Sequence, residues 1–204
     1  TYTLSGTGSE NFSISTDGTI QLINSLDYES KTSYSLTLTA SDGSTSATSE
    51  FTFSITDINE PIDLNTTLAA ASFSENTATG TTISTSTATD EEGDVISFSL
   101  SGTGSDNFSV SSDGTITLIN ALDYETDSSY TLTLSATDGT NTATTNITVT
   151  VDNVNEAVSL STSVAANSCS EDISTGTTIA TASATDPENA TISYTLSGTG
   201  SDKF

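Results

Sequence analysis

Apolar residues alternate with Ser and Thr through several short runs of this chain. Tyr34, Leu36, Leu38 and Ala40 form one such run, and Tyr130, Leu132, Leu134 and Ala136 form another. Phe51, Phe53 and Ile55 answer Ile147, Val149 and Val151; Ile96, Phe98 and Leu100 answer Ile192, Tyr194 and Leu196. A period of two puts apolar side chains on one face of a strand and hydroxyls on the wet face. The pattern therefore predicts strands at every one of these runs, Ile192 to Leu196 included. Asp17-Gly18 and Asp113-Gly114 each predict a hairpin, because such turns need a residue at positive φ. Asp17 and Asp113 are accordingly read as turn residues. No stretch keeps helical spacing.

The runs recur because the chain repeats itself. SGTGSENFSISTDGTIQLINSLDYES begins at Ser5, SGTGSDNFSVSSDGTITLINALDYET at Ser101 and SGTGSDKF at Ser197, a period of 96 residues. Such self-similarity marks a repeat architecture. The spacing predicts a partial repeat over 1–60, a complete one over 61–156 and a second partial one over 157–204. About seven short strands per period match an immunoglobulin-like sandwich. The expected fold is all-β, with tandem seven-strand sandwiches arranged end to end. The cut points fall inside a repeat. That predicts either a slice of a longer array or an incomplete end that the next copy completes. Cys169 lies one period after Phe73, at an apolar first-strand position, and is expected to be a buried free thiol.

Composition narrows the function. The 204 residues carry 27 acids against 2 bases, Lys31 and Lys203, for a net charge of −25. Such a field repels nucleic acid and anionic membranes and attracts cations. No apolar run approaches the ~20 residues that span a bilayer as a helix. There is no His and one Cys. Ser–His and Cys–His nucleophile pairs and His-rich zinc sites are therefore excluded, and an enzyme is not expected. Sequons at Asn11, Asn65, Asn107, Asn146 and Asn189 are about as many as chance supplies in so Ser/Thr-rich a chain. A Lys–Asn crosslink is not expected, since Asp127 replaces Lys31 one period on and Lys203 matches Asn107.

The acids are placed in register. ATDEEGD at 88–94 becomes ATDPENA at 184–190; Asp90 and Glu92 persist as Asp186 and Glu188, while Glu91 becomes Pro187 and Asp94 becomes Ala190. LDYE recurs at 26–29 and 122–125, giving Asp27/Glu29 and Asp123/Glu125. Asn59-Glu60 recurs as Asn155-Glu156, Glu75 as Glu171 and Asp42 as Asp138, while Asp57 gives way to Asn153. A D-x-E pair that outlasts its neighbours is expected where two carboxylates share a partner. A repeat boundary as tight as INEP (58–61) would set Asp27, Glu29, Asp57 and Glu60 against Asp90, Glu92 and Asp138. Seven carboxylates there require neutralisation. Oxygen-only ligands select a hard cation, so two or three Ca²⁺ are expected at ~6–8 oxygens each.

A glutamate in FSEN, then ATDxE, LDYE, AxDG and DINEP resembles the calcium-binding order of cadherin repeats, and most of all the cadherin-like repeats of large bacterial surface adhesins. The resemblance implies a Greek-key sandwich with calcium at each junction. It implies ligands Asp27, Glu29, Asp57, Asn59, Glu60, Asp90, Glu92 and Asp138 at the first junction. At the second it implies Glu75, Asp123 and Glu125 from the upper repeat, Asn153, Asn155 and Glu156 from the linker, and Asp186 and Glu188 from the repeat below. Glutamate stands where the family usually has aspartate at Glu60, Glu92, Glu156 and Glu188, and Asn153 replaces an acid. The second junction is therefore expected to bind more weakly.

Two roles follow from this reading. One is a calcium-stiffened spacer in a long extracellular or cell-surface fibre or adhesin, with neighbouring repeats of the same or identical chains as partners, and cell-surface or matrix ligands as partners of other regions. The other is a filament subunit, in which strands from Tyr2 to Ile55 of one copy are completed by Val158 to Phe204 of the next. A carbohydrate-binding module finds no exposed aromatic cluster to support it.

Overall fold

The computed structural model describes residues 1–201, so Lys203 and the end of the SGTGSDKF repeat lie outside the described residues. Its strands are β1 (Tyr2–Ser5), β2 (Phe12–Ile14), β3 (Ile20–Leu22), β4 (Ser33–Ser41), β5 (Ser46–Ser54), β6 (Asp63–Leu68), β7 (Phe73–Ser74) and β8 (Thr82–Thr89). They continue as β9 (Ser97–Thr103), β10 (Phe108–Val110), β11 (Ile116–Leu118), β12 (Ser129–Thr137), β13 (Thr142–Asp152), β14 (Ser159–Val164) and β15 (Ala180–Thr185). Two single-turn 3₁₀ helices, Ser9–Asn11 and Ser105–Asn107, lead into β2 and β10.

The chain divides into two compact units. The first comprises Thr1–Asn65, Thr87–Phe98 and Ser135–Thr144; the second comprises Thr66–Ser86, Ser99–Leu134 and Thr145–Phe204. In the first, β1, β4 and β5 form an antiparallel sheet with Tyr2 opposite Ala40 and Tyr34 opposite Phe53. The β2–β3 hairpin turns at Asp17-Gly18 as expected, with Gly18 at φ 87°. Asp17 Oδ1 accepts the Thr19 amide at 3.1 Å and the Ser15 hydroxyl, and the Ser15 bond holds its carboxyl below the usual range. Phe12, Tyr34 and Phe53 pack with ring centroids 5.4–5.5 Å apart. Lys31 stands 4.4 Å from the Tyr34 centroid, a cation–π contact.

The strands from β6 to β13 make two four-stranded sheets, ordered β10-β11-β8-β6 and β7-β13-β12-β9. Seven strands were expected and eight are present. The first one breaks at residues 69–72, and its two halves join opposite sheets: β6 beside β8, and β7 parallel to β13 with Val151 opposite Phe73. The alternation reads as drawn. Leu132, Leu134, Ala136, Ile83, Ile116 and Leu118 are fully buried, with Ile147, Val149 and Val151 beside them. Gly104 sits at φ 75°, where an added Cβ would lie 2.4 Å from the Tyr130 ring, so both backbone and space demand glycine.

Two expectations are corrected. Residues 191–197 form no strand, and Tyr194 and Leu196 are 56% and 68% exposed. Two periods earlier Tyr2 pairs with Ala40 of β4, and no strand among the described residues pairs with 191–197 in that way. Cys169 is exposed rather than buried. Its counterpart Phe73 is buried by pairing along β13, and the sequence in hand holds no equivalent of β13 for Cys169.

Identical residues one period apart measure what a neighbouring strand contributes. Leu118 is fully buried on β11, which pairs with β8, whereas Leu22 on β3 has no such neighbour and is 52% exposed. In urea unfolding, Leu118→Ala should cost about 2–5 kcal/mol. Leu22→Ala should cost under about 1 kcal/mol.

Candidate metal centres

Both acidic loops are built by short turns that cap themselves. In the 88–94 loop the Gly93 amide bonds the Asp90 carbonyl at 3.2 Å, and Asp90 Oδ1 accepts the Asp94 amide at 3.2 Å. The 184–190 loop copies this, with Asn189 donating to the Asp186 carbonyl at 3.0 Å and Ala190 to Asp186 Oδ1 at 3.1 Å. The turn needs a left-handed residue, supplied by Gly93 at φ 74° and by Asn189 at φ 57°, a residue that tolerates that region. LDYE is framed alike. Asp27 accepts the Ser30 amide and hydroxyl, and Asp123 accepts those of Thr126, all at 2.7–3.0 Å.

These frames aim the remaining oxygens at the linkers. In the first unit, Glu92 Oε1 accepts the Glu60 amide at 3.2 Å. One carboxylate oxygen from each of Glu29, Asp57, Glu60 and Glu92 falls within 4.8 Å of the others. Asp27 and Glu29 form a second group with Glu91. Asn59 donates to Asp138 Oδ2 at 3.0 Å, and this bond holds the Asp138 carboxyl below its ordinary range. Asp90 is pushed upward, first by burial and then by Glu92 and Asp138.

The second unit repeats the arrangement. Glu188 Oε1 accepts the Glu156 amide at 2.9 Å, and Glu125, Glu156 and Glu188 converge. Glu75, Asp123 and Glu125 form an adjoining group. Glu75 is 6% exposed; its Oε2 accepts the Tyr124 amide at 2.8 Å and its Oε1 the Val154 amide at 2.5 Å, tying the LDYE loop to the linker. Asn153 donates to Glu125 Oε1 at 2.8 Å, and Asn155 donates to the Glu156 carbonyl at 2.9 Å. A cleft lined by Tyr124, Glu125, Ser128, Asn153, Pro187, Glu188 and Asn189 opens here, with a volume of about 380 Å³.

Most of the expected ligands thus converge, but not all. Asp90, Asp138 and Asp186 lie outside the tight carboxylate groups and cap their own loops. Glu91 joins a group although no pattern in the repeat hinted at it, since D-x-E persists where Pro187 stands in place of Glu91 and so pointed away from the middle residue. Only the fold brings it beside Asp27.

The chemistry of these clusters follows from what they lack. Glu60 Oε2, Asp90 Oδ2, Glu92 Oε2, Glu156 Oε2 and Glu188 Oε2 are buried and accept no hydrogen bond. An ionised carboxylate has acceptors only, so facing carboxylates cannot satisfy one another. Either a proton or a cation must sit between them. An all-oxygen set with carboxylate, amide and carbonyl donors fits a hard divalent ion.

A model of the Cadherin domain family matches residues 1–56 and 69–152, more than half of the chain. The chain belongs to the cadherin domain family. It is 36% identical over 200 residues to the protocadherin-like wing polarity protein stan of Drosophila melanogaster, which covers 88% of this chain and 6% of that protein. It is 37% identical over 150 residues to mouse Protocadherin Fat 4, covering 67% of this chain and 3% of that protein. The chain therefore spans only a few per cent of these relatives' lengths. Among solved structures, the cis-dimer of protocadherin gammaB7 EC3-6 aligns with 92% of this chain and 47% of that one, with a TM-score of 0.58 and 26% identity. The extracellular cadherin domains 3–6 of protocadherin gamma B2 share the fold, with a TM-score of 0.61 at 23% identity over 92% of this chain and 48% of that one. This cadherin segment is extracellular or at the cell surface, and no helix among the described residues is long and apolar enough to cross a membrane.

Proton sharing gives the metal-free cadherin repeats a pH signature. A hydrogen bond that protonated Glu60 donates to the Glu92 carboxylate, with burial and nearby charge, raises Glu60 to about 7; the bond from Glu156 to Glu188 does the same for Glu156, also to about 7. The unfolded chain would titrate these groups near the ordinary glutamate value of 4.5. The folded state thus holds the extra protons, and their contribution is complete below that value and lost as pH rises through about 7. In chelator, the melting temperature should be higher at about pH 5.5 than at about pH 8, and Glu60→Gln with Glu156→Gln should flatten the difference.

Proposed function

We propose that this segment is a calcium-stiffened spacer within a long surface protein. Repeats 1–60, 61–156 and 157–204 would be joined by cation sites that make the linkers rigid. The observation that carries this reading is the set of five buried, unpartnered carboxylate oxygens, found at two places one period apart. The role is mechanical and adhesive rather than catalytic. Its partners are neighbouring repeats of the same polypeptide or of identical chains.

The residues present fit calcium. Asp27, Glu29, Asp57, Asn59, Glu60, Glu91 and Glu92, with Asp90 and Asp138 behind them, would hold it in the first unit. Glu75, Asp123, Glu125, Asn153, Asn155, Glu156 and Glu188, with Asp186 behind them, would hold it in the second. When bound, the ion supplies positive charge and a fixed coordination shell. The chain supplies pre-aimed oxygens, because the Asp90 and Asp186 loops and the LDYE turns are held by their own backbone amides before any ion arrives. Six acids enter the tight groups of the first unit and five those of the second. Affinity follows ligand charge, so the first site should be the stronger.

The relatives named above come from animals, whereas the reading as a bacterial-type surface adhesin rests on the order FSEN, ATDxE, LDYE, AxDG and DINEP alone. The half-exposed Leu22 favours a second reading, in which another copy's β14–β15 segment covers that face and builds a filament. A monomeric 204-residue chain at high concentration would contradict this reading; filaments would support it.

Calcium removal tests the main proposal. Chelation should lower the melting temperature and broaden the scattering-derived length distribution, and calcium should restore both. Glu92→Gln should weaken binding at the first site about tenfold or more and leave the second unchanged. Identical melting and scattering with and without calcium would contradict the proposal.

A further inference from the structure

The loop at residues 137–141 appears twice in this chain, and the copies differ at one telling position. In the earlier copy, Asp42 Oδ1 accepts the amides of Ser44 at 2.8 Å and Thr45 at 2.7 Å. The Ser41 hydroxyl donates to the Thr45 carbonyl at 3.0 Å and accepts the Gly43 amide at 3.1 Å. In the later copy, Asp138 Oδ1 accepts the amides of Thr140 and Asn141, both at 2.6 Å. The Thr137 hydroxyl donates to the Asn141 carbonyl at 2.7 Å and accepts the Gly139 amide at 3.1 Å. These four bonds are the same in both copies. Thr45 stands where Asn141 does one period later, and its hydroxyl turns back on Asp42. The loop therefore folds without the Asn141 carboxamide.

That carboxamide is spent on the linker. Asn141 Nδ2 donates to the Asn59 carbonyl at 3.2 Å and to the Glu60 carbonyl at 2.7 Å. The Glu60 carbonyl also accepts the Asn59 side-chain amide at 3.2 Å, whereas Asn141 is the side chain that reaches both carbonyls. On the opposite side of the same stretch, the Glu60 amide is held by Glu92 Oε1 and the Asn59 side chain by Asp138 Oδ2. The linker backbone is thus gripped from both sides, and Asn141 supplies the neutral grip.

We propose that Asn141 is a positioning residue for the first cation site, clamping the Asn59 and Glu60 carbonyls so that their side chains are aimed before an ion binds. This rests on the calcium reading above. The clamp itself is built without metal, which allows the two to be tested apart.

Asn141→Thr in the full 204-residue chain is the decisive variant, because Thr45 already shows that this loop frame accepts threonine. A calcium titration followed at the backbone amides of Glu92 and Glu188 reads the two sites separately in one molecule. Affinity at Glu92 should fall roughly five- to tenfold, the effect of two lost neutral hydrogen bonds, with Glu188 unchanged. In chelator, hydrogen exchange at the Glu60 amide should speed up by a similar factor, while the Thr140 amide, held by Asp138, keeps its protection. Equal losses at both sites, or no change at either, would overturn the proposal. If the parent chain binds no calcium, the calcium reading and the affinity claim both fall. The metal-free exchange data then decide whether Asn141 clamps the linker, and unchanged Glu60 exchange would dispose of the clamp too.

Discussion

Everything in this segment turns on carboxylates that face carboxylates. An ionised Asp or Glu offers lone pairs and no proton, so Glu60 and Glu92, or Glu156 and Glu188, repel each other at neutral pH unless something positive lies between them. With two basic residues in 204, the chain cannot supply that charge from its own side chains. Without metal, a proton shared within each pair is the compromise open to the chain, and it is why Glu60 and Glu156 are pushed upward. A divalent ion replaces that proton with a larger charge and more bonds. On the calcium reading, the surrounding solution would then set the rigidity of the linkers.

The division of labour within each acidic loop follows from the same constraint. One oxygen of Asp90, and of Asp186, is committed to its own turn. One oxygen of Glu92, and of Glu188, is committed to the linker amide. The second oxygens of Asp90 and of both glutamates are left buried and unpartnered. Hydrogen bonds fix the direction of each carboxylate, and the leftover acceptors define where positive charge belongs. This arrangement answers the repulsion packed into residues 90–94. The loop holds its shape through backbone amides, and its surplus charge points inward to a shared centre.

Much of this was legible in the sequence because the chain carries its own control, a second copy 96 residues away. Period-two runs around Tyr130 and Ile147 marked strands that the core confirms. The register of LDYE and of Glu60, Glu92, Glu156 and Glu188 marked residues that the fold gathers into groups, while Asp90 and Asp186 of D-x-E stay outside them. Two kinds of information were not legible. Burial at Cys169 and strand formation at Ile192–Leu196 depend on partners that the sequence in hand does not contain, so local pattern alone misled. Glu91 and Asn141 act across the fold rather than along the chain. Glu91 has no surviving counterpart at Pro187, and Asn141 sits where the earlier repeat carries Thr45. For such residues only the placement of the linker shows the role.

The most direct test is an anomalous-difference map from crystals of this chain grown with calcium and collected near an energy where the ion scatters anomalously. The account predicts peaks enclosed by Glu29, Asp57, Glu60 and Glu92 and by Glu75, Asp123 and Glu125, at ~2.3–2.6 Å from their oxygens. A clean map without such peaks, with Glu60 and Glu92 turned outward to bulk water, would contradict it.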